Sequence, residues 1–405
     1  MKSPKLKPLF GFRPGIYLTA LAALILLLVL FVLLVLPGML NNGTLVSFTS
    51  DPPGAAVFAD GIYIGSTPFT AFIKKGTRTV RMEKPYFSSH ESVHEVGGRV
   101  FFTLVAKRKG DLHETLALED AKGYFSWRLQ DIYSWSLVTN FTAAYQYPDV
   151  ASRTAADLAG IGPSPYLDEF VSLLPYLASS SPVQKDIRES LQQFASSAAE
   201  DALRLLDEGI PETPVPDAML NGHTVYDELG ITVAWYETED LGSFALSTRL
   251  IPATLYDSFI EAVPEWGGTH KQNLISRGLV DDTYLQSAAV PGDIVTNISA
   301  HAARAFAAWL SDQIAGYSAH IPGELHLLSA AEAGGLEQNS WAWQWSASPF
   351  YPGYQKPTDA VPQLLDLESN YVVIKDTTSG RGERGALPPQ ACSPITGLRL
   401  MFIKD

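Results

Sequence analysis

Four rhythms of apolar and polar residues succeed one another along this 405-residue chain. Ile16 to Leu36 is an unbroken apolar run of 21 residues in which only Tyr17 and Thr19 carry a polar side-chain atom. At about 1.5 Å per residue, a helix of that length matches a hydrocarbon core of roughly 30 Å and exceeds the usual hydrophobic region of a cleaved signal peptide. The pattern predicts a transmembrane signal anchor at 16–36 behind a cytoplasmic stub at 1–15. Residues 45–107 then alternate in the manner of strands. Ala56-Val57-Phe58-Ala59 and Ile62-Tyr63-Ile64 flank Asp60-Gly61, a pair suited to a type I′ hairpin because both central positions take positive φ. Further turns fall at Gly65-Ser66-Thr67-Pro68 and Lys75-Gly76-Thr77, and Val100 to Val105 reads as a last strand. This predicts a small antiparallel β-sandwich.

The third rhythm, at 111–216, is helical. Ser181-Pro182 opens one helix that Gly209 closes, with Val183, Ile187, Leu191, Phe194, Ala198, Ala202 and Leu205 along one face. Weaker patterns lie at 117–146 and 166–178, and the proline-rich 208–216 reads as a stiff linker. From 222 to 405 the chain is irregular and rich in Trp, Gly and Pro. One helix stands out there, Ser299 to Gln313, whose Ala303, Phe306, Ala307 and Leu310 share a face. The fold class expected is α+β multidomain: a transmembrane helix, a β-sandwich, a helical spacer and an irregular α+β domain.

Charge sharpens the picture. The chain carries −14 from 29 basic and 43 acidic residues, yet its first 14 residues hold Lys2, Lys5, Lys7 and Arg13 and no acid, leaving −18 for the rest. The positive-inside rule then keeps the N-terminus cytoplasmic and sends the bulk across the membrane. So acidic a body is not built to hold nucleic acid. A single cysteine, Cys392, excludes an intramolecular disulfide and any multi-cysteine metal centre.

Ser50-Asp51-Pro52-Pro53-Gly54-Ala55, Asp60-Gly61, Gly65-Ser66-Thr67-Pro68 and Gly76-Thr77-Arg78-Thr79-Val80 together resemble, in order and spacing, the PEGA domain. That resemblance implies an extracytoplasmic, non-catalytic β module of bacteria. Together with the anchor and its flanking charge, it gives a single-pass protein of a bacterial inner (cytoplasmic) membrane with its bulk periplasmic or extracytoplasmic.

Several C-terminal segments resemble, in order, the formylglycine-generating enzyme and sulfatase-modifying factor family: Tyr236-Glu237-Thr238 with Leu250 to Phe259, Val295 to Ser311, His326 to Glu332, Trp341 to Trp345, Val373 to Thr378, and Arg381 to Leu400. The resemblance implies a C-type-lectin-like domain of the sulfatase-modifying factor type over 222–405. The family's oxidases hold copper with two cysteine thiolates, and one thiol cannot do so. Gln344 stands where the family has an acidic residue. Its iron-dependent branch needs histidines in the helical domain, where 111–216 offers only His113. The implied domain is therefore a pseudoenzyme, with no catalytic residue, no metal ligand and no cofactor.

Other chemistry is sparse. His90 and His94 are spaced to share a strand face, and no G-x-S-x-G, H-E-x-x-H or P-loop sequence occurs. Trp341, Trp343 and Trp345 alternate so that one strand face could present them as a stacking platform for sugar rings, with a core cluster as the other reading. Arg381 and Arg384 are candidates to meet an anionic group, and Arg399 to make a structural ion pair. The function expected is that of a membrane-anchored binding or scaffolding protein recognising an envelope glycan or a protein partner, its oligomeric state left open. The alternative is a metal-dependent iron or copper oxidoreductase, or sulfatase-modifying enzyme, with a rebuilt site that gathers His301, His320 and His326.

Overall fold

Local turns and alternating apolar residues build the first sheets of the computed structural model, which describes residues 14–32, 42–98, 109–138, 141–142, 144–159, 162, 164–286, 293–337, 342–358, 364, 371–376 and 383–405. Seven strands come first: β1 (Gly43–Asp51), β2 (Ala56–Ala59), β3 (Ile62–Ser66), β4 (Phe69–Lys74), β5 (Gly76–Glu83), β6 (His90–Val96) and β7 (Lys109–Thr115). They form two sheets, ordered β4-β1-β7 and β3-β2-β5-β6. Alternation turns Phe48, Val57, Ile73, Val80 and Met82 inward, and all are buried. Phe48 stacks on Phe69 at 5.1 Å between centroids. The Asp60-Gly61 turn joins β2 to β3 with φ of 50° and 80°, as the hairpin geometry requires. Asp60 also accepts from Arg78 Nη1 at 2.6 Å and from the Thr79 amide at 3.0 Å, which ties the turn to β5. The sandwich is not wholly antiparallel, since β7 runs parallel to β1. The expected strand at 100–105 lies outside the described residues.

The expected transmembrane anchor at 16–36 is corrected by the structure. The described helix is Pro14–Leu30, 17 residues. At about 1.5 Å per residue it reaches about 25 Å, short of a hydrocarbon core of roughly 30 Å. Among the described residues no helix is long and apolar enough to cross a membrane. The single-pass inner-membrane location, with a cytoplasmic N-terminus and a periplasmic bulk, falls with the anchor from which it was deduced. The fold class becomes a mixed α+β chain with several sheets.

Helices follow at Ala121–Ser136, Val150–Asp157, Pro165–Leu173, Ser181–Leu191 and Ser197–Glu208. The single helix expected from Ser181 to Gly209 is thus two. Ser196 interrupts it by taking extended backbone angles and capping the second piece, its hydroxyl accepting from the Ala199 amide at 3.2 Å. The break moves the buried stripe from Val183, Ile187 and Leu191 to Ala199 and Ala202.

The remaining strands are β8 (Ala218–Tyr226), β9 (Ile231–Thr238), β10 (Gly242–Ser247), β11 (Tyr317–His320), β12 (Trp343–Pro349), β13 (Val372–Asp376), β14 (Arg384–Leu387), β15 (Thr396–Gly397) and β16 (Met401–Lys404). They make a five-stranded sheet, β11-β16-β10-β9-β8, and a four-stranded sheet, β14-β13-β12-β15. The Ala300–Ser311 helix buries Ala303, Phe306, Ala307 and Leu310, and its cap Ser299 accepts from the Ala302 amide at 3.0 Å. That face joins Trp345, Tyr256, Phe259, Leu400 and Phe402 in the main core.

The described residues divide into two units, Met1–Tyr124 with Ala156–Gly162, and Phe125–Ala155 with Pro163–Asp405. Inside the second unit, helical segments dock directly on the four-stranded sheet. Tyr133 Oη donates to the Phe350 carbonyl at 2.9 Å and accepts from the Tyr371 amide at 3.1 Å. Gly353 donates to the Tyr176 carbonyl at 2.9 Å, and a Cβ at that position would lie 2.5 Å from the Ala178 nitrogen. Only glycine allows backbone to meet backbone so closely. The linker is held as well, with Tyr354 Oη donating to the Pro211 carbonyl at 2.7 Å and Lys356 pairing with Glu212 at 2.9 Å.

Candidate functional site

The second unit contains a large polar cleft and a small basic cavity. The cleft, of about 950 Å³, lies where the end of β10 meets four other chain segments, and is lined among others by His223, Thr232, Ser247, Thr248, Arg249, Leu250, Asp293 and Glu337. Backbone bonds pin these segments. The Thr248 amide donates to the Thr232 carbonyl at 2.8 Å, the Glu337 amide to the Thr248 carbonyl at 2.8 Å, and the Val295 amide to the Ile251 carbonyl at 3.0 Å.

Arg399 anchors the convergence. Fully buried, it donates from Nη1 to the carbonyls of Ser247 (2.8 Å) and Thr248 (2.5 Å), and from Nη2 to that of Glu337 (2.6 Å). These described partners are backbone carbonyls, not the carboxylate of the expected ion pair, and burial pulls the guanidinium down to about 10. Its Nε has no hydrogen-bond partner.

The cleft wall holds the carboxylates of Asp293 and Glu337, one guanidinium, one imidazole and several hydroxyls. Arg249 Nε donates to Glu337 Oε1 at 2.5 Å, with 76% and 55% of the two side chains exposed. Leu250 packs with Ala342 and Ile294 and supplies one apolar patch. With a neutral imidazole, the ionised lining sums to −1. A volume near the upper end of ligand pockets, walled by donors and acceptors, suits a polyhydroxylated ligand better than an anion or an apolar one.

The second cavity, of about 180 Å³, is floored by Glu324, Lys375 and Arg384 and walled by Glu212, Val215, Leu328, Gln355, Lys356 and Pro357. Glu324 opens the Glu324–Ala333 helix and is fully buried, its amide donating to Ser348 Oγ at 2.7 Å. Arg384 Nε lies 3.0 Å from each oxygen of its carboxylate, and Lys375 Nζ lies 3.6 Å from Oε1. Only 9% of the Arg384 side chain and 4% of the Lys375 side chain are exposed. The Arg384 guanidinium rests over the Phe350 ring at 5.3 Å, and its Nη1 reaches the Tyr354 carbonyl at 3.4 Å. Its Nη2 has no hydrogen-bond partner.

Of the residues singled out in the sequence, Trp341 and Arg381 lie outside the described residues. Trp345 is fully buried in the core and donates from Nε1 to the Ile298 carbonyl at 3.0 Å, and half-buried Trp343 packs against the same core. Arg384 sits in the small cavity. The histidines are dispersed: His320 contacts Ser318 at 3.0 Å, His326 stands edge-on to Phe244 at 4.9 Å, and His301 lies in the core-packed Ala300–Ser311 helix. His90 pairs with Glu114 at 3.3 Å, and His94 contacts Ser92 at 2.7 Å. Among the described residues, no three His, Cys, Asp or Glu side chains are gathered to hold a metal ion. The rebuilt site of His301, His320 and His326 is thereby corrected, since these histidines are not gathered about one point. Burial pushes the Cys392 thiol up to about 12, so it is no nucleophile at neutral pH.

The cleft residues escaped sequence reasoning because five separated segments supply them. The one signal available was the polar run Ser247-Thr248-Arg249 directly after an apolar strand.

The first unit is a β module of two sheets with an Asp-Gly hairpin. Residues 44–98 match the PEGA domain. The match ends before the expected boundary at 107, and it gives no support to the sulfatase-modifying factor resemblance, which rested on short, separately loose segments. A protein of Borreliella burgdorferi, described as an uncharacterized protein, is 21% identical over 384 residues, covering 78% of this chain and 76% of that protein. Among solved structures, PvdO from Pseudomonas aeruginosa is 13% identical with a TM-score of 0.28, covering 42% of this chain and 83% of that one. Treponema denticola variable protein 1 is 12% identical with a TM-score of 0.26, covering 47% and 99%. Scores that low carry no argument about the fold.

Proposed function

We propose that the chain is an extracellular binding or scaffolding protein, in which the PEGA module accompanies a recognition unit for an envelope glycan. The observation that carries the reading is the composition of the 950 Å³ cleft: carboxylates, guanidinium, imidazole and hydroxyls around one apolar patch. Sugar hydroxyls both donate and accept, so such a wall can meet them without leaving a buried polar group unpaired. A non-catalytic role for residues 222–405 agrees with a single cysteine that is buried and protonated. The test is co-sedimentation of the full chain with purified cell-wall glycan. Asp293→Ala and Arg249→Ala together weaken retention by at least about tenfold, the equivalent of one or two hydrogen bonds. Retention that ignores both substitutions, or that needs a protein component of the wall, overturns the glycan reading.

A further inference from the structure

The charges that line the large cleft are unevenly matched. Arg249 and Glu337 answer each other at 2.5 Å. Asp293 is the other acid of the wall, and among the described residues its carboxylate meets no cation and accepts no hydrogen bond. The chain beside the two acids adds no charge, since 287–292 and 338–341 contain no Asp, Glu, Lys or Arg. The main chain of Asp293 is nonetheless fixed: its carbonyl accepts from the Ala253 amide at 3.4 Å, and the Val295 amide two residues on donates to the Ile251 carbonyl at 3.0 Å. A carboxylate on a fixed backbone at a cleft wall is preorganised for a cation, because no rearrangement of the chain is needed to meet one.

We propose that the cleft takes an amino glycan, a sugar chain with an unacetylated amine whose ammonium pairs with Asp293. This rests on the glycan reading and narrows it to one class of sugar. The hydroxyls of Thr232, Ser247 and Thr248 on the same wall both donate and accept, so they suit the sugar's own hydroxyls. A neutral sugar gives the Asp293 carboxylate at most a hydroxyl donor, whereas an ammonium makes a charge-assisted hydrogen bond with it. A uronic acid brings a like charge to that carboxylate and is repelled. Asp293 is exposed, so the preference has the size of a part-solvated ion pair, about fivefold at low salt.

Titration calorimetry of the full chain with short oligomers of glucosamine, N-acetylglucosamine and galacturonic acid tests the proposal. The free-amine oligomer binds about fivefold more tightly than the N-acetylated one, the uronate binds most weakly, and the preference disappears at about 1 M salt, where charges are screened within about 3 Å. The chain carries −14 overall, so a cation gains affinity from the whole surface as well. Two substitutions that each remove one negative charge separate the local effect from the general one. Asp293→Asn brings the ratio of the two affinities to about one, whereas Glu265→Gln, at an exposed site outside the cleft, leaves it at about five. Equal affinities in the parent chain, a ratio that both substitutions lower alike, or binding of neither oligomer overturns the proposal. Equal affinities that Arg249→Ala weakens together remove the amine and leave the glycan site standing, whereas cell-wall retention that ignores Asp293 and Arg249 removes the glycan reading itself.

Discussion

Arg399 and Arg384 are both buried arginines of the second unit, and their surroundings differ in a way that separates framework from binding group. Arg399 spends three N–H directions on structure: its terminal nitrogens clamp the carbonyls of Ser247, Thr248 and Glu337, which hold the cleft walls together. Arg384 meets the carboxylate of Glu324, shares it with Lys375, and leaves Nη2 without a partner beside an open cavity. The first arginine reinforces loops that backbone hydrogen bonds also hold together. The second is short of an acceptor at Nη2. A buried guanidinium whose terminal nitrogens both meet the backbone is architecture; one whose terminal nitrogen lies beside a cavity without a partner leaves a donor open to a ligand.

Substitutions can break this contrast. Arg399→Met takes a donor from three carbonyls, of which that of Thr248 keeps the Glu337 amide, and carries the largest expected cost, about 3–5 kcal/mol by urea denaturation. Arg384→Met is milder, about 1–2 kcal/mol, because Lys375 stays 3.6 Å from the carboxylate it abandons. If the Arg384 variant loses as much stability as the Arg399 variant, Arg384 is framework and the contrast collapses.

A carboxylate that is fully satisfied sharpens the same point. Burial pushes the Asp281 carboxyl up, but the Cys392 amide and the amide and hydroxyl of Thr283 more than offset this and hold it below its ordinary 3.8. A carboxyl lowered on folding adds stability that is complete above its unfolded value and is lost as pH falls through its folded one. Asp281→Asn therefore lowers the urea midpoint at about pH 7, and the gap to the parent chain narrows by about pH 3. The smallest effect belongs to Arg249→Ala. Both members of its pair with Glu337 are exposed, so the urea midpoint stays where it was while glycan retention falls.

The first unit was legible in the sequence because its signals are local. Asp60-Gly61 needs two positive φ angles, and Val80 and Met82 bury by simple alternation. The Ala300–Ser311 helix was legible for the same reason, with its cap at Ser299 and its apolar face at helical spacing. The Trp343 and Trp345 alternation was readable as one strand face, but sequence could not tell a platform from a core, and the structure buries Trp345 completely. Apolar length misled at the N-terminus, where the described helix stops at Leu30, before the run of apolar letters does. The helix break between Leu191 and Ser197 was missed because the apolar spacing continues across it in the letters.

Taken alone, the amino-acid order determined the PEGA sandwich, the main helical faces and the impossibility of a two-thiolate centre with one cysteine. Each of these depends on residues close in sequence or on a simple count. Tertiary structure alone decided which charges meet: Glu324, Lys375 and Arg384 come from a helix and two strands, and Glu212 from the segment that walls their cavity. It likewise decided that Arg399 would serve three carbonyls and no acid. Whether a buried group is satisfied depends on partners distant along the chain, and no local pattern records them.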